Sequence, residues 1–145
     1  MPRLAIEKIP IPTEGSDFSL KAARLAVRLA SELGAELVAM TEETLARSSI
    51  CPPSAVKEVE QTFEHESHQY LTEIAEMAKA ESVPCQTRRV LHSATFQAIL
   101  DTAAADACDL IVTGSLGRSE VEALMLGSVT QKVLAHTTIP VFVSR

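Results

Sequence analysis

The distribution of hydrophobic and polar residues along the chain predicts helices that alternate with short apolar segments. Across Asp17–Leu33, alanines and leucines recur every three or four residues, which is the spacing of one buried helix face. Gly34 is suited to end that helix. A longer amphipathic helix is expected to begin near Pro52-Pro53-Ser54 and to run to about Ala80. Ser93 is expected to cap a third, shorter helix.

Two further helix starts are predicted near the C-terminus. Residues 119–122 and 128–131 both match the capping-box pattern, in which a serine is followed three residues later by Glu or Gln. The second pattern places the N-terminus of the last helix at Ser128, directly after Gly127.

Five segments have the character of strands, and they alternate with the helices. They are Leu4–Pro12, Leu37–Met40, Cys85–Leu91, Asp109–Thr113 and Val141–Val143. The fourth is the most apolar, as expected of a central parallel strand, and the third is polar enough for a sheet edge. Pro10 is unusual in the first strand because proline has no N–H to donate to a ladder. The alternation predicts a parallel sheet with helices on both faces.

Size and charge narrow the possible functions. A chain of 145 residues suits a single domain, taken as 1–145. A formal net charge of −6 argues against nucleic acid as a partner. No apolar run approaches the ~20 residues of a membrane span. The first residues are not followed by the apolar core of a signal peptide, so none is expected. Three cysteines without a paired motif indicate free thiols and a cytoplasmic location.

The candidate chemistry lies in a glycine-rich segment after the fourth strand. Gly114 and Gly117 are followed, after nine residues, by Gly127 and Ser128 at a predicted helix start. Glycines allow the backbone to approach an anion, and a helix N-terminus offers N–H groups and a partial positive charge. The segment therefore predicts a phosphate-binding site.

The glycine spacing and its flanking residues resemble those of the universal stress protein family. The similar stretches are 12–16, 20–23, 109–119, 126–134 and 140–143, and the resemblance covers essentially the whole chain. It implies an α/β fold with an open five-stranded parallel sheet of order 3-2-1-4-5. Such a fold is Rossmann-like, of the adenine nucleotide alpha hydrolase type.

The resemblance also implies a ligand and the residues that hold it. The ligand is an adenine nucleotide, ATP or alternatively AMP or ADP, with Mg²⁺ as a companion of ATP. Arg118 would supply a mobile positive charge near the phosphates. The implied binding residues are Pro12, Thr13 and Glu14 on the adenosine side, and Thr113, Gly114, Gly117, Arg118, Gly127, Ser128, Val129 and Thr130 on the phosphate and ribose side.

Three departures from the family pattern fall on the adenosine side. Glu14 stands where the family usually has Asp, and Thr41-Glu42 stands where it often has His-Val. His92-Ser93-Ala94 replaces a common Gly-x-Pro turn. A glutamate directed into an apolar base pocket would be costly. These departures motivate an alternative, a nucleotide-free interaction module of the same fold.

The expected role is regulatory: an adenine-nucleotide-binding stress-response protein. No catalytic triad can be assembled, and no lysine follows the glycine loop as in a P-loop ATPase. A weaker third possibility is slow ATP hydrolysis or autophosphorylation on Ser128 or Thr130. His65 and His68 lie three apart on a predicted helix, but no third ligand is evident, and no metal site is predicted.

The last strand predicts self-association. Val141, Phe142 and Val143 form a short apolar strand, and an unpaired apolar sheet edge tends to pair with another chain. The family resemblance implies a homodimer through this strand.

Overall fold

A computed structural model describes residues 5–44, 52–115 and 126–145 of the chain. Within these ranges, parallel strands alternate with helices. In chain order the elements are β1 (Lys8–Pro12), α1 (Asp17–Leu33), β2 (Glu36–Thr44), α2 (Val56–Ala80), β3 (Cys85–His92), α3 (Thr95–Ala105), β4 (Ile111–Gly114), α4 (Ser128–His136) and β5 (Val141–Ser144). This is the predicted α/β class.

The predicted strand order 3-2-1-4-5 is confirmed. Parallel ladders join β1 to β2, β2 to β3, and β4 to β5. β1 and β4 lie side by side, so the three-stranded and two-stranded parts continue one another. The connections after β1 and β4 therefore leave from the point where the strand order reverses, and α/β proteins bind their ligands at this point.

The two prolines of β1 face β4, and this explains why no regular ladder joins these strands in the described structure. The carbonyl of Glu7 accepts from Glu36 N–H at 2.8 Å, so residues of odd number in β1 bond towards β2. The carbonyl of Lys8 accepts from Asp109 N–H at 2.9 Å, so even-numbered residues face β4. Pro10 and Pro12 share that side and have no N–H to donate.

A carboxylate makes part of the connection that those prolines cannot make. Oδ2 of Asp109, just before β4, accepts the N–H of Glu7 at 2.8 Å and of Lys8 at 3.0 Å. Hydrogen bonds to an ionised acceptor are stronger than neutral ones. These two hydrogen bonds hold the amino ends of β1 and β4 together. They thereby fix the relative position of the carboxyl ends of the two strands.

The sheet is covered on both faces, and each face has its own core. On one side, Ile9, Ile11 and Leu37 pack with buried residues of α1 and α2 such as Ala26 and Ile74. The other core is formed by fully buried residues of β2 and β4 with residues of α3 and α4, namely Val38, Met40, Ile99, Ile111 and Val133. Alternate residues of β2 thus point to opposite faces, as in any strand.

Helix α1 has the predicted limits. Ser16 is its N-cap, whose side chain accepts from Ser19 N–H at 3.2 Å. Gly34 is its C-cap, with a left-handed φ of 69° and an N–H that donates to Ala30. Both ends agree with the sequence pattern, because a polar N-cap and a C-terminal glycine are local signals that need no tertiary partner.

One other predicted helix start is wrong by one residue. The N-cap of α3 is Ala94 and not Ser93, because the neighbouring His92 turns its ring nitrogen Nδ1 back to accept from Ala94 N–H at 3.0 Å. The N-terminus of α4 lies at the predicted Ser128, and Gly127 is its N-cap. β1 also begins at Lys8 within the described residues, later than the predicted Leu4. The helix predicted at 119–122 lies outside the described residues.

Among the residues that the structure describes, no helix has both the length and the apolar character to cross a bilayer.

Candidate functional site

The loop between β1 and α1 is held in place by its own polar groups. Thr13 follows β1, and its N–H donates to the carbonyl of Met40 in β2 at 2.8 Å. The Thr13 hydroxyl is buried, accepts from Gly15 N–H at 3.2 Å and lies 3.3 Å from the hydroxyl of Ser19 in α1. Thr13 therefore connects the end of the sheet to the first turn of α1.

Glu14 is the charged residue of this loop. Its carboxylate accepts a hydrogen bond from the hydroxyl of Ser16, the N-cap of α1. A negative charge is favourable at a helix N-terminus because the helix dipole is positive there. Glu14 and the half-buried Pro12 thus lie where the prediction placed them, at the carboxyl end of β1.

Tyr70 covers this loop from α2, a feature that the sequence pattern did not indicate. Gly15 has φ of +82°, and a Cβ added to it would lie 2.7 Å from Cδ1 of Tyr70 and closer still to Cε1 and Cζ. The ring therefore occupies the space that any other side chain at position 15 would need. Because Tyr70 is remote in sequence, periodicity could place it on α2 but could not show what it contacts.

The second half of the candidate site is formed where α4 begins against the end of β4. The Gly127 N–H donates to the carbonyl of Ser115 at 2.6 Å. The Thr130 hydroxyl, which is buried, donates to the carbonyl of Gly114 at 2.8 Å. Ser115 N–H in turn donates to Ser144 of β5 at 2.8 Å. These bonds place the N-terminus of α4 on the carboxyl edge of the sheet.

The first turn of α4 presents its backbone at this edge. Gly127 is the N-cap and makes no side-chain cap bond, because it has no side chain. The N–H groups of a helix's first turn have no acceptor within the helix, so they are suited to an anion. Ser128 is exposed at the start of this turn, whereas Val129 packs against the core behind it.

The two halves meet at the same end of the sheet. Beyond the hydrogen bond between Lys8 and Asp109, β1 and β4 run in the same direction and end at Pro12 and Gly114. The buried Thr113 lies one residue earlier in β4. The structure thus brings the predicted residues 12–14, 113–114 and 127–130 to one edge, while Gly117 and Arg118 lie outside the described residues.

Glu42 lies at the extended end of β2. The pairing of β1 with β2 reaches Met40, so Glu42 projects beyond β1, on the α3 side of the sheet. Its carboxylate accepts from the hydroxyl of Thr95, in the first turn of α3, at 2.9 Å. The charge is therefore hydrogen-bonded at a helix N-terminus, which reduces the cost that a buried glutamate would otherwise have.

The described residues also contain exposed histidines and free cysteines. His65 and His68 are exposed on α2, and the described residues contain no group of three or more metal-ligating side chains. Cys85 and Cys108 are free thiols. Burial, with a smaller contribution from Asp106, raises the pKa of Cys108 to about 11. Burial also raises the pKa of Cys85, although a backbone hydrogen bond opposes the shift.

Comparison with known proteins gives a consistent family. A model described as the universal stress protein family matches residues 5–145. A universal stress protein of Methanocaldococcus jannaschii is 32% identical over 138 residues, which cover 94% of this chain and 81% of that protein.

Solved structures of that family share the fold. One is a universal stress protein in complex with cAMP, with a TM-score of 0.75 and 25% identity over 97% of this chain and 98% of the other. Another is a universal stress protein of Archaeoglobus fulgidus in complex with dAMP, with a TM-score of 0.66 over 99% of this chain and 100% of the other. At 16% identity, the second likeness shows the fold alone.

Proposed function

Because the chain belongs to the universal stress protein family, we propose that it binds an adenine nucleotide at the carboxyl ends of β1 and β4. The observation that carries this proposal is the position of the α4 N-terminus. Gly127 and Thr130 hold it against the carbonyls of Ser115 and Gly114. A glycine-capped helix start at the strand-order reversal is a suitable phosphate site.

We propose that the nucleotide lies along this edge, with its phosphate group at α4 and its nucleoside end near the β1–α1 loop. Its phosphate group lies at Gly127–Thr130, where backbone N–H groups and the helix dipole favour an anion. Its nucleoside end extends along the edge towards Thr13 and Glu14, in the loop that follows the neighbouring strand β1. The related universal stress protein solved in complex with cAMP supports an adenine nucleotide as the ligand class. Gly117 and Arg118 complete the phosphate side in the proposal.

ATP is the proposed ligand in its magnesium form, with AMP or ADP as alternatives. The donor set fits a metal held mainly by phosphates, because Mg²⁺ typically uses one or two carboxylates together with phosphate oxygens. In this proposal the phosphate oxygens hold the metal, and Glu14 stays beside the nucleoside end. We propose a binding and regulatory role in stress response in the cytoplasm, with at most slow turnover.

We propose further that the protein forms a homodimer through β5. This strand pairs with β4 along one edge and lies at the end of the strand order. Phe142 is 42% exposed, which is high for a large apolar side chain. An apolar edge strand is stabilised when a second copy pairs with it. Sedimentation equilibrium should give a dimer for the wild type and a monomer for Phe142→Asp.

The binding proposal is tested by analysing the nucleotide content of freshly purified protein and by calorimetric titration with AMP, ATP and GTP. We expect an adenine nucleotide to be extracted or bound, and Gly127→Val to lose it because a side chain there obstructs the phosphate site. Gly34→Ala is a matched control, since this glycine lies at the far end of α1 with no atom within 4 Å of an added Cβ. Thermal unfolding verifies that both variants fold.

Absence of both co-purified nucleotide and binding heat in the wild type would contradict the proposal. The nucleotide-free interaction module would then be the better account of this chain, and β5 would be the first surface to investigate.

A further inference from the structure

The contact between Tyr70 and Gly15 joins α2 to the loop on the adenosine side of the proposed site. The ring of Tyr70 lies so close to the Cα of Gly15 that a Cβ would overlap three of its carbons. Gly15 itself has a left-handed backbone, with φ of +82°. The ring thus fills the side of the loop that this backbone conformation opens.

Tyr70 is carried by a well-anchored part of α2. The next residue, Leu71, and Ile74 one turn further are buried in the core that α2 shares with β1 and α1. Ser67, one turn earlier, is also buried. An aromatic side chain has only two rotatable bonds, so the ring is a rigid contact on a fixed helix.

Hydrogen bonds connect Gly15 and its two neighbours to the rest of the loop and to α1. The Gly15 N–H is bonded to the Thr13 hydroxyl, which also lies within hydrogen-bonding distance of Ser19. Glu14 and Ser16 flank Gly15, and the Glu14 carboxylate accepts a hydrogen bond from the Ser16 hydroxyl. A shift of Gly15 therefore displaces the Glu14 carboxylate and disturbs the cap of α1.

We propose that Tyr70 is a positioning residue of the nucleotide site. Its ring holds the β1–α1 loop, with Glu14, in the conformation that receives the nucleoside end of the ligand. The inference rests on the proposed function and adds to it a connection from the site to α2. A preorganised loop binds more tightly because less ordering accompanies association.

The first test compares AMP and ATP affinities of Tyr70 variants by calorimetry. We expect Tyr70→Ala to weaken binding about tenfold, a typical consequence of lost preorganisation. Tyr70→Phe keeps the ring carbons that lie beside Gly15 and should bind within about twofold of the wild type. Tyr70→Leu should weaken nucleotide binding as Tyr70→Ala does. It takes the place of the alanine variant if that variant does not fold.

Met77→Ala is the matched control. Met77 lies two helical turns beyond Tyr70 on α2 and packs against the same core, but towards the opposite end of the sheet. It should lower thermal stability and leave nucleotide affinity unchanged. Equal affinity of Tyr70→Ala and wild type, or an equal loss in Met77→Ala, would overturn the inference.

The second test needs no nucleotide. Hydrogen exchange of the segment 13–16 should be faster in Tyr70→Ala than in the wild type, and unchanged in Met77→Ala. Unchanged exchange in Tyr70→Ala would overturn the inference even if the wild type binds nucleotide. A wild type that binds none would instead contradict the proposed function, and with it the role of Tyr70 in binding, whatever the exchange shows.

Discussion

Replacing Gly15 with alanine perturbs both features of the β1–α1 loop at once. The φ of +82° is unfavourable for any residue with a Cβ, and that Cβ would overlap the ring of Tyr70. Because the ring is only half-buried, it can move outwards, and the substitution then costs the packing of the ring as well as the backbone preference.

The two costs can be worked out separately. A left-handed conformation costs an alanine about 1–2 kcal/mol. Displacing a half-buried ring forfeits about 1–2 kcal/mol, which is less than the value for a fully buried large side chain. We therefore expect Gly15→Ala to lower the free energy of unfolding by about 2–4 kcal/mol in total.

Two comparisons isolate the contribution of the ring. Gly34→Ala has a similar φ of 69° but no neighbour within 4 Å, so it should show the backbone cost alone. In a Tyr70→Ala background, Gly15→Ala should likewise show only the backbone cost. The double-mutant cycle should therefore give a coupling energy of about 1–2 kcal/mol.

Urea unfolding followed by circular dichroism measures all four proteins of the cycle and the Gly34 control. If Gly15→Ala costs no more than Gly34→Ala, or if the cycle shows no coupling, the ring does not occupy the space beside Gly15 and the reasoning is refuted.

Three other substitutions or treatments test single contacts. Thr130→Val should lower the free energy of unfolding by about 1–2 kcal/mol, because the part-buried carbonyl of Gly114 loses its donor. Thr62→Val, which removes an exposed hydroxyl bond of similar length, should lower it by less than about 0.5 kcal/mol. Equal losses of the two variants in urea unfolding would argue against the α4 contact. Asp109→Ala should lower the free energy of unfolding by about 2–3 kcal/mol, because the N–H groups of Glu7 and Lys8 lose a charged acceptor. A thermal unfolding midpoint equal to that of the wild type would contradict this expectation. Cys108 of the folded protein should resist alkylation at pH 8, because a thiol with a pKa of about 11 is only about one part in a thousand thiolate there. Mass spectrometry measures the rate of modification, and a rate equal to that in urea would refute the burial of Cys108. Because its folded pKa is raised, its contribution to stability is present below about pH 9 and is lost as the pH rises towards 11.

The sequence was sufficient for the architecture because its signals were local. The apolar segments, the serine cap of α1 and the glycine that ends α1 all act within a few residues of their own position. Pro10 illustrates a local signal that misleads, since proline usually indicates an edge. Here it lies in a central strand, and the side that lacks an N–H faces β4, where Asp109 makes the connection instead.

The sequence pattern named positions for the candidate site but did not indicate the side-chain contacts that hold them. Gly114 and Gly127 could be recognised by their spacing, but the Thr130 hydroxyl that fixes them together depends on tertiary geometry. The contact of Tyr70 with Gly15 and the bond from Thr95 to Glu42 join elements far apart in sequence. No periodicity in one chain can report such pairs.

The central claim is that an adenine nucleotide binds at the carboxyl ends of β1 and β4, and amide chemical-shift mapping tests it most directly. On titration of the isotope-labelled protein with AMP, the account predicts shifts concentrated at Glu14, Gly114 and Ser128–Thr130, with little change around Cys85 at the opposite end of the sheet. Shifts centred elsewhere, or none at saturating AMP and ATP, would contradict it.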